Sequence, residues 1–200
     1  MASNLDREGL SARKSINPVF TRVSGIFWSS TSFPCSERFS APKGARKCLS
    51  PTKHGNGVKP IKQACTIALR DRYGWRLETS INYATRSPGK VDATKVIDNH
   101  LFALEWETGN ISSSHRAVNK MVLGLLRGVF LGTVLVLPSR KLYPYLTDRI
   151  GNYEELEPYF DVWRAVRIEE GFLAIFVIEH DRVDNNVPTI TKGTDGRALV

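Results

Sequence analysis

Two hundred residues, 42% apolar and 24% charged, suffice for one domain with a real core and are too few for two large ones, and the balance excludes a disordered or fibrous chain. The 28 Lys and Arg against 20 Asp and Glu leave a net charge of +8, which favours polyanionic partners such as nucleic acid or an acidic membrane surface. The apolar stretches "VFLGTVLVLP" (129–138) and "FLAIFVIE" (172–179) fall far short of the roughly 20 residues a spanning helix needs, so no membrane span is predicted. Cys35, Cys48 and Cys65 are odd in number and lack C-x-x-C spacing, the pattern of free thiols in a reducing, cytoplasmic compartment. The Arg- and Ser-rich start is interrupted by Asp6 and Glu8 and is followed by no apolar core of a signal peptide; it reads as a native segment rather than a targeting signal.

In chain order, residues 1–56 hold scattered turn formers and basic residues and read as a weakly structured arm or cap. Residues 57–200 read as the core, the whole forming one domain. "PIKQACTIALRDRYGW" predicts a helix with Pro60 at its first position and Ile61, Ala64, Cys65, Ala68 and Leu69 on one stripe. "WRLETSINYA", the turn Ser87-Pro88-Gly89 and "KVDATKVID" predict a hairpin, and "LFALEWE" (101–107) a further strand. "SSSHRAVNKMVLGLLRG", "SRKLYPYLTDR" and "NYEELEPYF" predict helices, with 129–138 and 172–179 as central strands apolar on both faces. Strands alternating with helices indicate an α/β fold: a mixed central sheet flanked by helices.

The chemistry concentrates at "FALEWETGNISSSHR" (102–116). Side chains alternate along a strand, so Glu105 and Glu107 share a face. Asp92, just after the hairpin turn, is placed to pair beside Glu105, and Glu78 closes the site from before the turn. Such a cluster of like charges raises its own pKa values unless a cation neutralises it, and oxygen ligands without His or Cys point to Mg²⁺. In a chain with 20 acidic residues such spacing arises by chance more often than it marks a metal site, so taken alone it reads as a solvated strand face; a glycosidase acid and nucleophile pair is a further alternative, against which the basic charge argues. After Gly109, a helix capped by Asn110 or a serine presents Asn110, Ser112, Ser113 and Arg116, with an N-terminus that attracts phosphate. Asn pairs with adenine and Arg with guanine in the major groove, and Asp148 with Arg149 suit a G·C pair. Taken singly, these are also ordinary caps and surface charges.

Four stretches carry a resemblance: "GVKPIK", "EWETGNISSSHR", "YLTDRIGNYEELEPYF" and "NNVPTITKGTDG". From about Gly57 to Gly196 the chain resembles the BamHI family of type II restriction endonucleases. The resemblance implies a PD-(D/E)xK nuclease core in a homodimer that grips double-stranded DNA at GGATCC and cuts after the first G, leaving 5′ overhangs. It implies Glu78, Asp92 and Glu105 as metal-binding carboxylates, the main-chain carbonyl of Trp106 as a further ligand, and Glu107, in place of the usual Lys, as the residue that activates water. Asn110, Ser112, Ser113, Arg116, Asp148 and Arg149 match DNA-reading positions, Lys62 a nearby DNA-facing lysine, and Gly193 and Asp195 a minor-groove approach. Two Mg²⁺ ions per site are implied, with Mn²⁺ as a substitute, Ca²⁺ as an inhibitor and no organic cofactor. Arg127 and Asp161 lie where a dimer contact is implied. Trp106 stands where the family has Phe, and the N-terminal arm matches poorly.

Overall fold

The computed structural model describes residues 22–23, 48–82, 88–180 and 182–193. In chain order, β1 (Arg22–Val23) and β2 (Cys48–Leu49) precede helix α1 (Val58–Tyr73), and strands β3 (Arg76–Ser80), β4 (Lys90–Ile97) and β5 (His100–Trp106) follow it. Helix α2 (Ile111–Leu126), β6 (Gly132–Pro138), α3 (Tyr153–Leu156), α4 (Phe160–Arg164), β7 (Phe172–Ile178) and β8 (Arg182–Val183) complete the described elements.

Six strands form one mixed sheet in the order β1-β7-β6-β5-β4-β3, as the alternation of strand and helix patterns led one to expect. The β3-β4-β5 side is antiparallel and the β5-β6-β7-β1 side parallel. Strands β6 and β7 carry no charged residue, and every residue of β6 is buried. A strand covered on both faces loses its polar alternation, and both lie inside the sheet rather than at its edge. β2 pairs with β8 in a separate two-stranded sheet.

Helices cover both faces. On one, Val118, Met121 and Leu125 of α2 pack with Leu135, Leu173 and Ile175 of the sheet and with Leu156, Phe160 and Trp163. On the other, Leu69 of α1 packs on Ala93, Leu104, Trp106, Val134 and Val136. No helix among the described residues is long and apolar enough to cross a membrane.

Helix α1 begins at Val58 with Gly57 as its N-cap, so Pro60 occupies the third position and not the first. That costs nothing, because first-turn amides have no partner within the helix. Of the expected stripe, Ala64 is exposed, and Thr66 is buried in its stead, its hydroxyl bonded to the carbonyls of Lys62 and Gln63. Gly74, at φ 68°, ends the helix, with its amide on the Arg70 carbonyl and the Trp75 amide on that of Leu69.

Two expected helices are shorter than their patterns. Residues 139–149 make only a 3₁₀ turn at Tyr143–Tyr145, because Pro144 offers no amide and Ser139 captures those of Leu142 and Tyr143. Residues 152–160 split into α3, a 3₁₀ turn at Glu157–Tyr159 containing Pro158, and the start of α4.

Asn56, fully buried, knots three segments. Its amide donates to the carbonyls of Ser50 (3.0 Å) and Tyr145 (2.9 Å), and its Oδ1 accepts from the Ile190 amide (3.3 Å). Around it, Leu49, Val58, Leu142, Leu146 and Ile150 form a third apolar cluster that fixes the 139–150 loop against the start of α1.

Candidate active site

Three adjacent strands deliver one carboxylate each to the same place. The β4–β5 register, which pairs Ala93 with Leu104, puts Asp92 opposite Glu105, and Asp92 Oδ2 accepts from the Trp106 amide at 2.7 Å. In the β3–β4 pair, Leu77 faces Ala93 and Thr79 faces Val91, which leaves Glu78 opposite Asp92. Glu78 has φ 48°, a left-handed conformation that costs a non-glycine residue on the order of 1 kcal/mol or more. Glu107 follows directly on β5. All four carboxylates line one open cleft of about 670 Å³, which they share with Lys59, Lys62, Lys120, Ser113 and Arg116.

Burial governs their electrostatics. Glu105 and Glu107 are each only 8% exposed. Desolvation, with the Asp92 charge adding to it, pushes the Glu105 carboxyl up to about 7, while Lys120 and, more weakly, Lys62 pull it down. Lys120 sits against Glu105 Oε1 in a contact of opposite charges, and it donates to the Lys90 carbonyl at 2.6 Å. Lys62 donates to Asp92 Oδ1. Burial also raises Glu107, against the opposing pull of amides from Gly109 (2.6 Å) and Thr108 (2.9 Å), both on Oε1. Gly109 is required for this clamp: a Cβ there would lie 2.6 Å from Ser113 Oγ and 3.0 Å from Glu107 Oε1.

Among the described residues, no group of three or more His, Cys, Asp and Glu side chains is gathered closely enough to hold a metal ion. The expected trio Glu78, Asp92 and Glu105 therefore lines one cleft without closing into a ligand cage, and Asp92 and Glu105 are each engaged by a lysine. The donor set nonetheless fits a divalent cation. Its atoms are hard oxygens, and two of its carboxylates are drawn together out of water, so that Asp92 raises the cost of charge on Glu105. Lys62, expected to face DNA, lies in the cleft with its ammonium on Asp92.

Of the expected base-reading residues, Ser113 and Arg116 reach the same cleft. Asn110 caps α2, its Oδ1 accepting from the Ser113 amide at 3.2 Å. Asn110, Ser112 and Arg116 are exposed, Ser113 is half-buried, and both Ser113 and Arg116 line the cleft. Asp148, at φ 65°, and Arg149 are also exposed, and Lys192 holds Asp148 Oδ1 at 2.6 Å. This segment is joined to the start of α2 by a backbone bond from the Gly151 amide to the Gly109 carbonyl, 2.9 Å. Gly193 packs against Lys59 and Pro60 at the start of α1. Asp195 and the turn residue Ser87 lie outside the described residues. Asp161 pairs within its own helix, with Arg164, at 3.1 Å.

Lys120 and Asn56 were not singled out from sequence. Helical spacing carried a signal for the first, since position 120 follows Arg116 by one turn and falls on the same face of α2. Nothing in the sequence marks Asn56, whose partners lie 6, 89 and 134 residues away.

Two curated proteins extend the comparison beyond geometry. The type II restriction enzyme OkrAI of Oceanobacter kriegii is 57% identical over 152 residues, covering 76% of this chain and 78% of its own. The type II restriction enzyme BamHI of Bacillus amyloliquefaciens is 35% identical over 192 residues, covering 92% of this chain and 82% of its own. The model of the family described as restriction endonuclease BamHI matches residues 16–197. With a carboxylate cleft beside a capped helix start, and a family match along almost its whole length, the chain belongs to the BamHI family of restriction endonucleases.

Proposed function

We propose that this restriction endonuclease hydrolyses double-stranded DNA at GGATCC, cutting after the first G, as a Mg²⁺-dependent homodimer with the PD-(D/E)xK core. The observation that carries the reading is the sharing of one cleft by Glu78, Asp92, Glu105 and Glu107 with Ser113 and Arg116 of the exposed helix start. Reaction and recognition groups stand side by side, as cutting at a chosen sequence requires.

Asp92 and Glu105 would hold the metal, with Glu78 and the Trp106 carbonyl as further oxygen donors. A divalent cation bound there stabilises charge on the scissile phosphate and makes nearby water more acidic. Glu107 orients and deprotonates the attacking water. Its Oε1 is pinned by two amides, which fixes the carboxylate plane, and burial, by raising its pKa, makes it a stronger proton acceptor than an ordinary carboxylate. Asn110, Ser112, Ser113, Arg116, Asp148 and Arg149 read base edges, two arginines and one asparagine suiting two guanines and one adenine per half-site. The net charge of +8 attracts the duplex.

The test is digestion of linear plasmid with Mg²⁺, with and without EDTA, followed by sequencing of the fragment ends. Discrete fragments with 5′-GATC overhangs, abolished by EDTA, are expected. An intact plasmid that is still bound specifically would mean a DNA-binding protein without nuclease activity, and a smear would remove the recognition reading. Glu107→Ala and Glu107→Lys should bind the site and leave it uncut; cutting at the parent's rate would remove Glu107 from the mechanism.

A further inference from the structure

Among the described residues, two of the charged pairs differ from the rest in where they lie. Lys62–Asp92 and Lys120–Glu105 have side chains only 22% and 13%, and 11% and 11%, exposed. By contrast, the Arg70–Asp71 and Lys192–Asp148 pairs are about half exposed, at 55% and 54%, and 59% and 47%. A pair that gives up its water must be well matched, because an uncompensated charge there is costly. The two lysines also reach the carboxylates from opposite sides of the sheet, Lys62 from α1 and Lys120 from α2.

We propose that Lys62 and Lys120 are resident counter-ions of the cleft: without metal their ammonium groups balance Asp92 and Glu105, and a divalent cation enters by displacing them. This rests on the reading of Asp92 and Glu105 as metal-binding carboxylates. Two carboxylates drawn together and largely out of water are unstable without a cation near them, and of the four cationic side chains that line the cleft Lys62 and Lys120 are the ones paired with Asp92 and Glu105. Lysine suits an exchangeable role better than arginine. Its charge is a compact point on a flexible four-carbon stem, whereas a guanidinium fork binds a carboxylate through two fixed bonds. Both lysines border open solvent in the cleft, so each has somewhere to go. Lys120 keeps a second partner when it leaves Glu105, since it already donates to the Lys90 carbonyl at 2.6 Å. The exchange is one of charge for charge, with no bond made or broken. It accounts for four acids that share a cleft while no three of them close around an ion.

The experiment is a Ca²⁺ titration of the DNA-free protein by calorimetry and by thermal unfolding, at alkaline pH so that protons do not compete. The proteins are the parent, Lys62→Met, Lys120→Met and Lys120→Arg. Each Met variant should melt at a lower temperature than the parent in EDTA, and should bind Ca²⁺ about tenfold more tightly, since a competing positive charge has been removed. Lys120→Arg, which keeps the charge, should return both readouts towards the parent, which a purely packing role for the side chain would not do. Ca²⁺ binding by the parent with equal or weaker affinity in both Met variants would overturn the exchange and leave the metal site standing. Absence of Ca²⁺ binding in all four proteins would remove the metal site and the exchange together. Should Lys120→Met be unfolded in EDTA, refolding on addition of Ca²⁺ supports the proposal, failure to refold counts against it, and Lys120→Gln is titrated to the same criterion.

Discussion

The two halves of the central sheet differ in what their strands can tolerate. β6 and β7, on the parallel side, contain no charged residue and are packed by helices on both faces. β3, β4 and β5, on the antiparallel side, carry Glu78, Asp92 and Glu105 within strands that are otherwise ordinary. β5 belongs to both halves, pairing antiparallel with β4 and parallel with β6. The uncharged half therefore supplies rigidity, and the charged half uses it to hold strained and mutually repelling groups in place. Glu78 in a left-handed conformation and Glu105 with its raised pKa are affordable only beside such a scaffold.

That division of labour makes the halves separable by mutation. The largest expected effect falls on the charged half: Asp92→Asn should slow DNA cleavage by on the order of 10³-fold or more in a single-turnover assay, with only the modest fall in melting temperature that loss of the Lys62 pair brings. A large loss of stability with the same substitution would show that the two halves are not independent. On the uncharged half, Leu135→Ala, at a fully buried position facing α2, should cost about 3 kcal/mol in denaturant unfolding while the cleaved sequence stays the same.

The pH response sharpens the comparison. Glu105 has a folded pKa of about 7 against an ordinary 4.5, so between these values the folded protein holds more protons than the unfolded one. Stability without metal should consequently fall as pH rises through that window and level off above it. Glu105→Gln should flatten this part of the curve, and an unchanged slope would move the source of the effect elsewhere. Cleavage should run the opposite way, rising as the carboxylate ionises.

Smaller effects belong to the exposed readers. Arg116→Ala or Arg149→Ala should lose about 1 to 3 kcal/mol of discrimination at one base pair in competition binding, whereas an equal loss on every sequence would reduce the arginine to a phosphate contact. Smallest of all, Val96→Thr, on the exposed end of β4, should shift stability by no more than about 0.5 kcal/mol.

Much of this was legible in the sequence because it is local. Period-two alternation placed Glu105 and Glu107 on one face, unbroken apolar runs marked β6 and β7 as interior, and the cap candidates Asn110 and the serines after it marked the start of α2, of which Asn110 is the cap. The failures arose where local pattern met a local exception or a distant partner. Pro144 and Pro158 cut expected helices that their apolar spacing allowed. Lys62 and Lys120 found the acids only through tertiary packing, across 30 and 15 residues of chain. A carboxylate pattern names the groups that share a site, but the ammonium groups that answer it come from helices on either side of the sheet and leave no common spacing.

The backbone bond from Gly151 to Gly109 has a consequence for how such an enzyme changes over time. A Cβ at position 151 would fall 2.4 Å from Ser114 Oγ and 3.1 Å from Ile111 Cα, so the segment bearing Asp148 and Arg149 is pressed directly onto the start of α2. Under the proposed reading, the two sets of base contacts form a single stencil of fixed spacing. Such a stencil can be re-lettered, one side chain at a time, but it cannot be stretched. Descendants of this chain should differ in which bases they accept at given positions far more readily than in the length of the site they recognise.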